Sequence, residues 1–327
     1  MKYIIGAYTT APSLAANDKL IEYEFYENLI ESIPNIRGLE IPFWGNEIHQ
    51  FGSDYLLNII DPDWENVISC IPGTMLNLAK NPKFGLASDD ENGRIEAIAM
   101  HKRANLVLHK MNKYYGKKAV IAVQVATAPS SPVEGVHSSV DSLLMSMQEI
   151  LSWDWQGAKI VIEHCDSAVG CTKFEKGFLT IEDEIKTLIK LNGIYDVGIT
   201  INWARSAIEG RSVETPIEHI QLALDNNILS GIMFSGVSDN DNQYGSWKDM
   251  HMPFSQYQDM RYCEPKSLLS YENISNCISL VNPEIVDYLG IKILSMPIGN
   301  CSIDRRVGVN RDAITILNSI LDKLHVS

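Results

Sequence analysis

The residues best equipped for chemistry stand where short apolar runs end. One run reads Ile160-Val161-Ile162-Glu163-His164-Cys165-Asp166. Successive strand residues face opposite sides, so Glu163 shares a side with Val161 while His164 leans toward the rim. A carboxylate at such a strand end can be a general base or a metal ligand, or it can simply pair with a nearby lysine or arginine. A second run, Gly198-Ile199-Thr200-Ile201-Asn202-Trp203-Ala204-Arg205, lays Gly198, Thr200 and Asn202 on one side. Asn202 suits a sugar hydroxyl, or the satisfaction of backbone groups at the strand end. Arg205 suits an anion or a surface ion pair. A third, Gly38-Leu39-Glu40-Ile41-Pro42-Phe43-Trp44, adds Glu40 as a second carboxylate, catalytic or ion-paired. Its Trp44 offers a stacking face for a sugar ring, or core packing. Gln124, alone among Ala122-Val123-Gln124-Val125-Ala126, points toward the site or bonds its neighbours.

Three further features carry charge. Lys292 lies within Gly290-Ile291-Lys292-Ile293-Leu294, where a lysine must find a counterion or reach to water. Its place early in the expected strand points to an ion pair in the lower layers of the sheet. The segment from Ser235 to Phe254 mixes turn formers with aromatics and holds Asp249 and His251, an acid–base pair that could close over a substrate. An ordinary surface excursion is the plainer reading of that segment. Finally, Gly299-Asn300-Cys301-Ser302-Ile303-Asp304-Arg305-Arg306 precedes a helix, where Arg305 could hold a phosphate or pair with Asp304.

These features need a scaffold, and the hydrophobic pattern specifies one. Strands are expected at Tyr3–Tyr8, Gly38–Ile41, Asn66–Ile71, Ala119–Val125, Ala158–Glu163, Val197–Asn202, Ser230–Ser235 and Gly290–Met296. Helical stretches fall near 18–33, 54–60, 92–113, 138–152, 180–192, 215–226, 273–287 and 308–324. Thr180-Ile181-Glu182-Asp183 and Thr215-Pro216-Ile217-Glu218 read as helix starts. Strands alternating with helices imply a parallel sheet, and eight units imply its closure into an α/β (β/α)₈ TIM barrel. Connections from helix to strand are short. Those from strand to helix are long, notably 72–91, 126–137, 164–179 and 236–272. Loops beyond about 15 residues are uncommon unless functional or disordered, and here they gather on the end where barrels keep their chemistry. An open dinucleotide-binding sheet would carry glycines after its first strand, where this chain has Ala7-Tyr8-Thr9-Thr10-Ala11-Pro12. The expected organisation is one barrel domain over residues 1–327, with a loop insertion at about 236–272.

The 327 residues carry a net charge of −14. Such a surface repels phosphate backbones and anionic membranes, so neither nucleic acid nor membrane is expected as a partner. There is no basic start followed by an apolar stretch and no run of about 18 apolar residues, so a cytoplasmic protein is expected. The six cysteines include no Cys-x-x-Cys pair and read as reduced thiols.

Gly38-Leu39-Glu40, Ile162-Glu163-His164, Gly198-Ile199-Thr200-Ile201-Asn202 and the wide loop after strand seven together resemble the xylose-isomerase-like barrels. That superfamily includes sugar isomerases, epimerases, some dehydratases and an apurinic endonuclease, and the resemblance spans the whole chain in an uncharacterised branch. It implies a divalent metal held by carboxylates and histidines on strands five to eight. Glu163 matches the strand-five carboxylate, but Asn202 stands for an aspartate and Ser235 for a histidine, and Ser295 and Met296 occupy the place of a strand-eight glutamate. Neutral oxygens and a thioether suit hard divalent ions poorly. A rebuilt metal site would draw on Glu163, His164, Asp166 or His251.

The first functional expectation is therefore isomerase- or epimerase-like proton transfer on a small carbohydrate or sugar phosphate. Glu163 would be the base, with Glu40 or His251 as its partner. Trp44, Gln124, His164, Asn202, Arg205, Ser235, Asp249 and Arg305 would bind substrate, with Arg205 or Lys292 supplying positive charge. The alternatives are a divalent-metal-dependent lyase or hydrolase on a carbohydrate, and a non-catalytic carbohydrate-binding barrel. The oligomeric state stays open, a homo-oligomer included.

Overall fold

The computed structural model describes residues 1–168, 174–282 and 286–326. Cys171, the middle of segment 164–179 and part of the expected helix 273–287 lie outside the described residues.

Eight parallel strands form a closed barrel in chain order. They are β1 (Tyr3–Ile5), β2 (Ile36–Pro42), β3 (Asn66–Ser69), β4 (Val120–Val125), β5 (Lys159–Glu163), β6 (Val197–Asn202), β7 (Leu229–Phe234) and β8 (Tyr288–Ile291). The helices are α1 (Lys19–Ser32), α2 (Ser53–Ile59), α3 (Ile71–Leu78), α4 (Glu91–Tyr115), α5 (Val140–Leu151), α6 (Ile181–Leu191), α7 (Trp203–Gly210), α8 (Thr215–Asp225), α9 (Tyr271–Leu280) and α10 (Ile303–Val326). The strands are buried on both sides, as a sheet covered by helices requires. By contact density the chain divides into two compact units. The first comprises Met1–Glu40, Ile201–Gln221 and Gly231–Ser327, the second Ile41–Thr200 and Leu222–Ser230.

Local chemistry explains most boundaries. Asp18 caps α1 by accepting from the amides of Leu20 and Ile21. Thr180 caps α6 through the Asp183 amide, as its spacing predicts. Two short helices escape the pattern. α3, with Pro72 in its first turn, and α7 each begin within two residues of a strand end. They are too short for an apolar stripe to repeat.

The first and last strands differ from expectation. β1 stops at Ile5, because Thr9 and Thr10 turn their hydroxyls back onto the carbonyls of Gly6 and Ala7 and fold residues 7–9 into a 3-10 turn. β8 starts at Tyr288, paired with Gly231, and ends at Ile291 rather than Met296. With β1 gone, the carbonyl of Ile293 is taken by the Thr9 hydroxyl instead of a strand. Lys292 therefore sits just past the C-terminal end of β8, not early in that strand. α10 likewise begins at Ile303, so Arg305 lies in its first turn, where Ser302 accepts from the Arg305 amide.

Candidate functional site

In the first unit, register places several polar side chains on one level. Ile5 pairs with Leu39 on β2 and Ile291 on β8, and Phe234 on β7 also pairs with Ile291. One residue further along each strand come Ser235, Lys292, Gly6 and Glu40. Registered residues of a parallel sheet face the same side. Lys292 Nζ lies 2.7 Å from Glu40 Oε1, and both side chains are essentially fully buried. The two reach each other across Gly6. A Cβ there would lie 3.0 Å from Lys292 Cγ and 3.2 Å from Glu40 Oε2, so a side chain at this position would crowd the pair. Lys292 also lies 5.3 Å from the centre of the Tyr8 ring, within cation–π range. Beside them, Ser235 Oγ donates to Asn202 Oδ1 at 2.9 Å, both residues fully buried.

The long segment after β7 is an ordered part of this unit. Gly236 and Met252 exchange backbone hydrogen bonds, the Leu294 amide donates to the carbonyl of His251, and Tyr244, Met252 and Leu294 pack into a small apolar cluster. This clamping holds Trp247 and His251 in the left-handed region, φ 52° and 49°, which non-glycine residues seldom adopt. It also aligns three charged groups: Asp249 receives Arg205 Nε on Oδ2 at 3.1 Å and faces His251 Nδ1 from Oδ1 at 3.3 Å. Arg305 is engaged elsewhere, 3.0 Å from Glu264. Burial pushes the Glu264 carboxyl up and Arg305 offsets part of that. Asp304, the partner expected for Arg305, instead accepts from the Tyr262 hydroxyl.

In the second unit, Ser69 registers with Gln124, Gln124 with Val161, Val161 with Gly198, and Glu163 with Thr200. Ser69, Gln124, Glu163 and Thr200 therefore share one side of the sheet, and each is fully buried. His164 takes the other side. Its Nδ1 meets Glu184 Oε2 of α6 at 2.8 Å, and Thr127 Oγ1 donates to the other oxygen of Glu184 at 2.7 Å. The imidazole thus faces the helix layer rather than the rim. Asp166 organises its own loop, accepting from the amides of Glu175 and Lys176 at 2.7 and 3.0 Å. Trp44 is half-buried just beyond β2.

Sequence reading missed Glu184, because a helical glutamate in Ile181-Glu182-Asp183-Glu184 looks like solvated surface. It also missed Ser69, a small residue in an apolar run, and His219, whose Nδ1 lies 3.0 Å from Ser206 Oγ and whose Nε2 lies 3.7 Å from Glu209.

The divalent ion implied by the resemblance does not suit the strand-end residues of the first unit. The positions expected to hold aspartate and histidine carry Asn202 and Ser235, hydrogen-bonded to each other. On the same level the carboxylate of Glu40 already holds an ammonium. Neutral oxygens and a neighbouring fixed cation make a poor cage for a hard dication.

Closed parallel strands with polar side chains at their C-terminal ends define a TIM barrel. The structure resembles a xylose isomerase domain containing protein of Salmonella typhimurium LT2, with TM-score 0.60 and 8% identity over 97% of each chain. It also resembles a D-psicose 3-epimerase determined in the presence of D-fructose, with TM-score 0.60 and 12% identity over 98% and 99%. An AP endonuclease of family 2 from Brucella melitensis gives TM-score 0.55 and 11% identity over 90% and 94%. At such identities these likenesses concern the fold. The chain belongs to the family described as a domain of unknown function, DUF4862, whose model matches residues 4–309. It is 35% identical over 317 residues to an uncharacterised protein of Salmonella typhimurium, covering 96% of each. Among the described residues, no helix is long and apolar enough to cross a membrane.

Proposed function

We propose that this protein is an enzyme that moves protons on a small carbohydrate, in the manner of an isomerase or epimerase. The observation that carries this reading is Glu163, a fully buried carboxylate at the C-terminal end of β5, on the same side as Gln124 and Thr200. Barrel enzymes draw catalytic groups from such strand ends. Abstraction of a proton next to a carbonyl needs a positioned base and a group that returns the proton. Glu163 is assigned the first role. Gln124, on the same side of the sheet as Glu163, is assigned to a substrate hydroxyl.

The structural likeness to D-psicose 3-epimerases, one of them determined with D-tagatose, supports a free ketose as the first substrate class to try. A phosphorylated sugar has less support, because Arg305 is held by Glu264. The likeness to an AP endonuclease means that the fold alone does not exclude nucleic acid, but a net charge of −14 opposes it. Metal-assisted lysis or hydrolysis is the weaker alternative, given the donor set above.

The test is calorimetric and kinetic titration with a panel of ketopentoses and ketohexoses. Wild type should bind and convert at least one of them. Glu163→Gln should bind it within a few-fold and lose turnover by at least about a hundredfold, the scale of a removed general base. Unchanged turnover in Glu163→Gln would remove the assigned base. Tight binding with no conversion by wild type would favour a non-catalytic barrel.

A further inference from the structure

We infer that Lys292 is a functional cation at the strand ends of the first unit, and that its ammonium stabilises the oxyanion formed when a proton leaves the sugar. This rests on the proton-transfer reading above and names the electrophile that the reading lacks.

The argument begins with cost. A lysine buried beside a glutamate loses hydration that the pair's attraction scarcely repays, and such pairs can often be replaced by apolar residues without loss of stability. A fully buried pair of this kind is therefore weak evidence of a stabilising role and leaves room for a chemical one. The location says which. Lys292 and Glu40 lie at the C-terminal ends of β8 and β2, and β1 contributes only Gly6 between them. A glycine on the middle strand is what lets the lysine and glutamate stems meet at 2.7 Å across it. Tyr8, from the turn after β1, flanks the same ammonium.

The chemistry agrees. Removing a proton from carbon leaves an enediolate whose negative charge must be met by a preorganised donor or cation. In the superfamily that this chain resembles, a divalent ion is expected near this end of the barrel. Here Asn202 and Ser235 satisfy each other and the Glu40 carboxylate holds an ammonium. Arg205, the other cation considered, has its guanidinium docked on Asp249. Lys292 is a compact charge with three donors, and Glu40 fixes its position. Glu40 is accordingly a positioning residue that holds the ammonium in place.

The experiment compares two probes by calorimetry at a mildly alkaline pH that ionises the first: D-arabinonohydroxamate, whose anion mimics a ketose enediolate, and the neutral D-arabinitol. Wild type should prefer the hydroxamate by at least tenfold. Lys292→Met should lose that preference while still binding arabinitol, and Lys292→Arg should keep part of it. Because Lys292→Met alone leaves Glu40 without its cation, the double change Lys292→Met with Glu40→Gln serves as the folded control. Glu40→Gln alone should keep the preference but lose it at lower pH than wild type, since an ammonium without its carboxylate releases its proton sooner.

Hydroxamate preference that survives both lysine-to-methionine variants would overturn the inference and leave the proton-transfer reading standing. Wild type that binds neither probe would overturn both. An independent readout needs no substrate. After chelation, any saturable heat or rise in melting temperature of wild type with MnCl2, MgCl2, CoCl2 or ZnCl2 should be unchanged in Glu40→Gln. Stoichiometric binding that is lost in Glu40→Gln would mean that a metal, not Lys292, occupies this place.

Discussion

Two buried pairs in this molecule each set a glutamate carboxylate against a side-chain nitrogen, at different places in the fold. In the first unit Glu40 holds Lys292 across a glycine at the strand ends. In the second unit Glu184 holds His164 from helix α6, with Thr127 bound to the remaining carboxylate oxygen. The first pair stands at the C-terminal end of its strands. The second ties a strand to its covering helix and fixes the orientation of the ring. Burial and pairing do not by themselves mark a functional group, and the comparison turns on which side of the strand each pair occupies.

The comparison can be broken by removing one member of each pair. Lys292→Met should cost about 3–5 kcal/mol of stability in denaturant unfolding, because a buried carboxylate loses its cation. Adding Glu40→Gln should recover most of that, whereas no recovery would mean that the lysine's packing, not its charge, is what matters. Glu184→Gln should cost about 1.5–3 kcal/mol, as expected for a hydrogen bond to a charged group. If the His164 network is structural, substrate affinity should follow stability and show no separate loss. Gly6→Ala should cost about 1–3 kcal/mol through crowding of the ion pair. A neutral result there would mean that the pair is not constrained from β1.

A smaller effect distinguishes a third buried group. Burial on α4 holds the His101 imidazole down at about 4, below the usual histidine range. The unfolded chain, with an ordinary value near 6.5, therefore binds more protons between pH 4 and pH 6.5. Stability from this residue is complete above about pH 6.5 and declines as pH falls toward 4. The loss between pH 7 and pH 5 should be about 2 kcal/mol, and it should vanish in His101→Gln, measured by urea midpoints.

Much of the architecture was legible because eight apolar runs alternated with helical stretches, and this periodicity survives any error at the ends. The errors lay where hydrogen bonds outside the ladder decide. Thr9 and Thr10 ended β1 early, and that in turn ended β8 before Met296. The shift moved Lys292 from an expected lower layer to the level of Ser235 and Glu40. The candidate site was visible as residue types: Glu163, Asn202, Asp249 and His251 all stood out as polar groups at strand ends or in the longest loop. The Asp249–His251 pair was legible as well. The longer-range pairings were not, because Glu40 and Lys292 are 252 positions apart and Glu184, the partner of His164, lies on a helix turn that reads as surface. No pattern local to either residue encodes such pairings.

The account's central claim is proton transfer at carbon. The direct measurement is deuterium incorporation from D2O into the carbon-bound hydrogens of the ketose panel, followed by proton NMR with wild type and with Glu163→Gln. The account predicts exchange at a carbon next to the carbonyl in wild type, absent in Glu163→Gln. A sugar bound by folded wild type with no exchange at any carbon, or exchange undiminished in Glu163→Gln, would contradict it.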